Sequence, residues 1–138
     1  MNREKLKEIY KKFNLEDDDI FIIKFGNQNK PIITRTGIEK IQAKLRIEVK
    51  FEIQKVSDDL KSCIVLGTGV IMGKDDKGNP RPVVGCQSFG EVAPYNNKNS
   101  YPIAMAEKRC LARIIIKIAG LAQLGVYGED ESEDFKKK

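Results

Sequence analysis

The sequence predicts an α+β fold: a three-stranded antiparallel β-meander with a long C-terminal helix packed on one face, preceded by a capped helix and a small β-hairpin. Two observations carry that expectation. Ile47, Val49, Phe51 and Ile53 alternate strictly with Glu48, Lys50, Glu52 and Gln54, the pattern of a half-buried strand, and two more strand-length stretches follow across turn-forming residues. Met105–Leu121 is apolar over most of a helical circumference, yet Arg109, Arg113 and Lys117 recur every fourth residue. Each of these cations sits about 40° further round than the last, so they form one narrow stripe.

The elements follow in order. Asn2–Phe13 places Leu6, Ile9, Tyr10 and Phe13 at helical spacing with lysines opposite, and the acidic patch Glu16–Asp19 ends it. Phe21–Phe25 reads as a strand, and Gly26-Asn27-Gln28-Asn29 as the turn into Pro31–Thr34, making the small hairpin. Thr36-Gly37-Ile38-Glu39 matches a capping box, and Ile38, Ile41 and Leu45 give the helix after it a buried face. Ser57-Asp58-Asp59 turns the chain into Ser62–Lys74, and Asp75–Pro80 turns it again into Arg81–Phe89. Ser62–Lys74 is apolar on one face, with Gly67, Gly69 and Gly73 on the other. The polar loop Glu91–Tyr101 leads to Pro102, a favoured first residue for the long helix, and Gly120 and Gly125 help to end that helix. One α+β nucleic-acid-binding domain over 1–127 and a disordered acidic and lysine-bearing tail over 128–138 complete the expected organisation.

Composition narrows the chemistry. The chain has 25 bases against 20 acids, and five of those acids lie in Glu129–Asp134, so the remainder carries +10. Such an excess favours polyanions without specifying which. Histidine is absent, which removes the commonest general base and metal ligand and any Ser-His or Cys-His pair. Cys63, Cys86 and Cys110 show no CxxC spacing and lie in apolar surroundings, so buried thiols in a reducing compartment are expected, with no zinc site. Gly67–Lys74 fails as a phosphate loop: the glycine spacing is wrong and Asp75 follows the lysine. Its glycines instead suit close approach of a helix to a sheet. Glu107 projects from the apolar arc and is expected to pair with a Lys or Arg across the core. No catalytic constellation emerges, so an enzyme, a metal and a cofactor are not expected, and no apolar run spans a bilayer or forms a signal peptide.

The stripe carries the functional reading. Ile103, Cys110, Leu111, Ile114, Ile115, Ile118 and Leu121 cover the arc beyond it, while Ala112 and Ile116 lie on its other side. A helix of this kind is expected between two packed surfaces, with its cations at the open seam as a groove for an anionic polymer. On that reading Arg109→Ala with Arg113→Ala abolishes binding and leaves the fold intact. Lys108 adds a charge off the stripe. Arg35 is either a phosphate contact at a helix N-terminus or a free surface residue. Tyr95 and Tyr101 either stack on unpaired bases or anchor their polar loop.

A capped helix, a β-meander and a long helix bearing Lys-Arg-x-Leu-x-Arg resemble the Rad-fifty-two-like single-strand annealing recombinases, including their phage members. Thr36–Leu45, Val84-Gly85-Cys86 and Ala106–Gly120 carry the likeness, which spans about Ile32 to Gly128. The resemblance implies ATP-independent single-stranded DNA binding and strand annealing in recombination or repair by a ring or filament of copies. It puts the family's basic pair on Lys108 and Arg109 and its other arginine near Arg35. It also implies the cytoplasm of a bacterial or phage-infected cell. The acidic tail, Glu129–Asp134 ending in Phe135, recruits a protein partner, competes with DNA for the groove, or merely solubilises. The rivals are a double-stranded RNA-binding module, which normally has lysines at the start of its last helix whereas Asn99–Met105 has none, and a protein–protein adaptor.

Overall fold

The computed structural model describes residues 3–98 and 100–131. It has mixed α+β architecture, with the long C-terminal helix packed against the meander. Helix α1 (Arg3–Lys12) buries Leu6, and the chain turns at Asn14 in the left-handed region. Asp17–Asp19 forms a 3-10 turn before strand β1 (Ile20–Phe25). Asp19 is buried there, accepting from Glu16 N and pairing with Lys40 Nζ at 2.6 Å. Strand β2 (Gln28–Ile33) pairs antiparallel with β1 from Ile20↔Ile33 to Phe25↔Gln28, closing the expected hairpin.

Helix α2 (Arg35–Leu45) begins two residues earlier than the capping-box reading implies. Thr34, not Thr36, is the N-cap, its hydroxyl accepting from Gly37 N at 3.2 Å. Both threonines have cap chemistry, but Thr34 is the one left extended as β2 ends. Arg35 thereby becomes the first helical residue. Strands β3 (Ile47–Val56), β4 (Cys63–Lys74) and β5 (Pro80–Val92) form the meander, with β4 central and Val49↔Gly69 and Gly69↔Cys86 in register.

Helix α3 (Pro102–Ile118) lies between two packed surfaces, as its two-sided apolar pattern predicts. Ala106, Cys110 and Ile114 pack on Cys63, Val65 and Val92 of the meander. Ala112, Ile115 and Ile116 pack into the larger core with Leu6, Ile33, Ile38, Ile41 and Val126. The glycines of β4 allow the first contact: a Cβ at Gly67 would overlap Cys110 Sγ, and one at Gly69 would overlap an Ile114 methyl. The helix therefore sits on the glycine face, and the strand's apolar face, with Ile64, Leu66, Val70 and Met72, points away from it.

The expected small hairpin gains a third strand on the second flank of α3. Strand β6 (Tyr127–Gly128) adds to β2 in parallel through Ile32↔Tyr127 and Ile33↔Gly128, making a second three-stranded sheet, β1-β2-β6. Glu129–Glu131 continues as a 3-10 turn. The expected disordered tail thus has an ordered beginning at Gly128–Glu131; residues 132–138 lie outside the described residues. Among the described residues no helix is long and apolar enough to cross a membrane.

Two thiols are buried as expected and the third is not. Burial raises the Cys63 pKa and pushes Cys110 up to about 11, and Cys110 donates to Ser88 O at 3.3 Å. Cys86 is half-buried on the strand β5. Because thiolate is the reactive species, titration with an aromatic disulfide at pH 8 is expected to consume Cys86 rapidly in the native protein, with Cys63 and Cys110 following only on unfolding. Rapid reaction of all three thiols would contradict the burial.

Candidate nucleic-acid interface

Spacing places Arg109, Arg113 and Lys117 where the two packed flanks of α3 meet, along the free edge of β5. The seam is where the sequence predicts it, but it is not an open trough. Arg109 is only 2% exposed, and its guanidinium is shared by three carbonyls. Its Nε donates to Asp130 O at 3.2 Å, one terminal nitrogen to Glu91 O at 3.2 Å, and the other to Asn96 O at 2.7 Å. Glu91 and Asn96 lie on the meander side and Asp130 just past β6, so Arg109 ties the two flanks together. It offers nothing to an external phosphate, which corrects its assignment as a contact residue.

Arg113 repeats the tie with carboxylates. It donates to both oxygens of Glu91 at 2.7 and 3.0 Å and both of Glu131 at 2.8 and 3.0 Å, and also to Phe89 O at 2.7 Å. Burial works to lower its pKa, but the hydrogen bonds and charges of Glu91 and Glu131 outweigh this and push it up. A fully charged guanidinium between two carboxylates is an internal ion pair, and the two glutamates together more than cancel it. Lys117 alone of the stripe is exposed, resting its ammonium on Ser88 Oγ at 3.2 Å.

The two cations expected off the stripe meet the chain's acidic segment. Arg35 donates its backbone N–H to Glu129 Oε1 at 2.8 Å, and its guanidinium lies 3.8 Å from Asp130 Oδ1. Lys108 is half-buried and lines a small cleft with Arg35, Ile38, Glu129 and Asp130. The structure therefore gathers Arg35, Lys108, Arg109 and Arg113 around Glu129–Glu131, with Lys117 one turn beyond. Neither Glu91 nor Glu131 as arginine partners was readable from the sequence, since each lies about 20 residues from Arg113 along the chain.

A second basic region lies at the other end of α3. The loop fixed by Arg109 through Asn96 O carries Tyr95, and Tyr101 directly precedes the helix; they are 79% and 68% exposed. Tyr101 lines a cleft of about 620 Å³ with Lys61, Lys98, Asp59, Leu60, Pro94 and Pro102, two bases against one acid. Lys61 escaped the sequence reading because only the β3–β4 turn brings it there.

Glu107 is exposed rather than paired across the core. Among the described residues no group of three or more Cys, Asp or Glu side chains is placed to hold a metal ion. No protein-family model matches the chain, and no curated protein matches it in sequence.

Proposed function

We propose that this protein binds single-stranded DNA without ATP and anneals complementary strands, acting as an oligomer. The observation that carries the reading is two largely exposed tyrosines close together in the chain, Tyr101 lining a cleft with Lys61 and Lys98 and Tyr95 lining a neighbouring one with Lys55. Aromatic rings accept bases of any sequence by stacking, and ammonium groups follow the backbone; single-strand binders combine these two features. The basic balance of the chain supports the same reading. Lys117 and Lys108 extend positive charge along α3 toward Arg35. Arg109 and Arg113 act as ties that hold the loop and the helix in place.

Self-association is supported by the outer face of the meander. Phe89, Met72 and Ile64 are 52%, 38% and 38% exposed on the side turned away from α3. An apolar sheet face rimmed by Glu48, Lys50 and Glu52 has the character of an interface. Annealing gains from such assembly because many weak strand contacts then act together.

The test is binding of labelled single-stranded DNA, duplex DNA and duplex RNA over a salt series, with annealing followed in the absence of nucleotide. Single strands are expected to bind tightest, with log affinity falling by ~0.7 per phosphate contact for each unit of log salt. Tyr95→Ala with Tyr101→Ala is expected to weaken binding at least about tenfold, at ~1–3 kcal/mol per stacked base, with the melting temperature unchanged. A flat salt response, or preference for duplex RNA, overturns the reading.

A further inference from the structure

The segment after β6 sets three consecutive carboxylates against cations that the sequence marks for phosphate. Glu129 accepts the Arg35 N–H at 2.8 Å, Asp130 sits 3.8 Å from the Arg35 guanidinium, and Glu131 takes Arg113 through both oxygens at 2.8 and 3.0 Å. The Arg35 N–H is the first free amide of an 11-residue helix, so the positive end of the α2 dipole adds to the site. Lys108 faces Asp130 across their shared cleft. Chemically, these carboxylates stand where the non-bridging oxygens of successive phosphodiesters would stand.

The hold on this segment is light. Glu129–Glu131 contains no apolar side chain, and apart from its ion pairs it is anchored by the two-residue strand β6 at a sheet edge and by the Arg109 Nε bond to Asp130 O. Arg109 keeps Glu91 O and Asn96 O if the segment leaves. Burial raises the Asp130 pKa despite the opposing charge of Arg35, so its ionised form is poorly accommodated. Arg113 keeps Glu91 if Glu131 leaves, so release does not strand a buried charge.

We infer that Glu129–Glu131 is an internal competitor occupying a phosphodiester-binding site made by Arg35, the α2 N-terminus and Lys108, and that its release from these and from Arg113 opens the site to a nucleic-acid strand. The inference rests on the single-strand reading above. It makes the segment an electrostatic gate: a strand with enough phosphates displaces it, and a short or weakly charged ligand does not.

The experiment compares the full chain with its Glu129→Gln, Asp130→Asn, Glu131→Gln triple variant, using fluorescently labelled oligo(dT) across a salt series. These amides keep the size of the side chains and can still accept hydrogen bonds. The triple variant is expected to bind about tenfold tighter, with a salt slope steeper by ~1.4 for about two freed cations. Adding Arg35→Gln and Lys108→Gln to it is expected to return affinity to the parent's level. If circular dichroism shows the triple variant unfolded, Glu129→Gln alone carries the test, with about threefold tighter binding expected. Unchanged or weaker binding by a folded variant, while the parent binds oligo(dT), overturns the competitor and leaves the proposed function standing. Absence of oligo(dT) binding by both folded proteins overturns the proposed function and the competitor with it.

Discussion

Arg109→Ala is expected to remove a large share of the protein's stability. Three part-buried carbonyls, from Glu91, Asn96 and Asp130, lose the guanidinium at once, and only the Glu91 carbonyl keeps a side-chain donor, the Asn96 amide at 3.5 Å. A hydrogen bond to a charged donor contributes ~1.5–3 kcal/mol, and a buried acceptor left without a donor costs ~1–3 kcal/mol. Against a typical domain stability of ~5–15 kcal/mol, a loss of about 4 kcal/mol is a large fraction of the total and brings a domain at the lower end close to its unfolding midpoint. Arg109→Lys is expected to rescue little, because an ammonium cannot reach three carbonyls spread around a planar fork. Urea denaturation followed by circular dichroism measures the loss. A folded Arg109→Ala protein within about 1 kcal/mol of the parent would show that the guanidinium is no tie. The outcome also reverses the expectation that removing Arg109 and Arg113 spares the fold: lost binding in such variants would report unfolding.

Gly90→Ala is expected to be the most damaging small substitution in the meander. A Cβ there would overlap the Ala106 carbonyl oxygen and lie 2.7 Å from Cys110 N and 2.8 Å from Cys110 Cβ. Two of these neighbours are helix backbone, so no rotamer change relieves the clash and α3 must lift off β5. Overpacking a core costs ~1–3 kcal/mol where side chains can shift, so about 3 kcal/mol or more is expected here. Gly85→Ala on the same strand is the control, since its nearest neighbour would be 3.8 Å away, an ordinary contact. It is expected within about 1 kcal/mol of the parent. The urea midpoint of Gly90→Ala should fall with the slope unchanged. Equal midpoints for the two variants would refute the close approach.

Several features of the candidate site were legible before any coordinates. The four-residue spacing of Arg109, Arg113 and Lys117 requires one line on α3, and apolar residues on both sides of that line require two packed flanks. Both follow from helical geometry alone. The glycines of β4 were read as room for a helix, and Cys110 and Ile114 fill that room. Ile47–Ile53 formed a strand because a period of two has one solution against a core.

The identity of each charge's partner was not legible. Arg109 and Arg113 reach groups 13 to 24 positions away, and sequence spacing carries no information about such contacts. A cation at a seam is consistent with a phosphate outside or a carbonyl inside, and only the positions of Glu91, Asn96 and Asp130 distinguish the two. Strand β6 is a similar case. Two residues have no periodicity, and Tyr127–Gly128 pairs with β2 because the loop after α3 delivers it there. What the residues determined unaided was therefore local: which segments are helix or strand, which faces are apolar, and where the cations line up, since each depends on the repeat of its own backbone. What folding decided was contact between distant segments: the burial of Arg109, the cancelling of Arg113 and the docking of Glu129–Glu131. Those depend on where loops bring carbonyls and carboxylates, a quantity fixed by the packed whole and by no single stretch of chain.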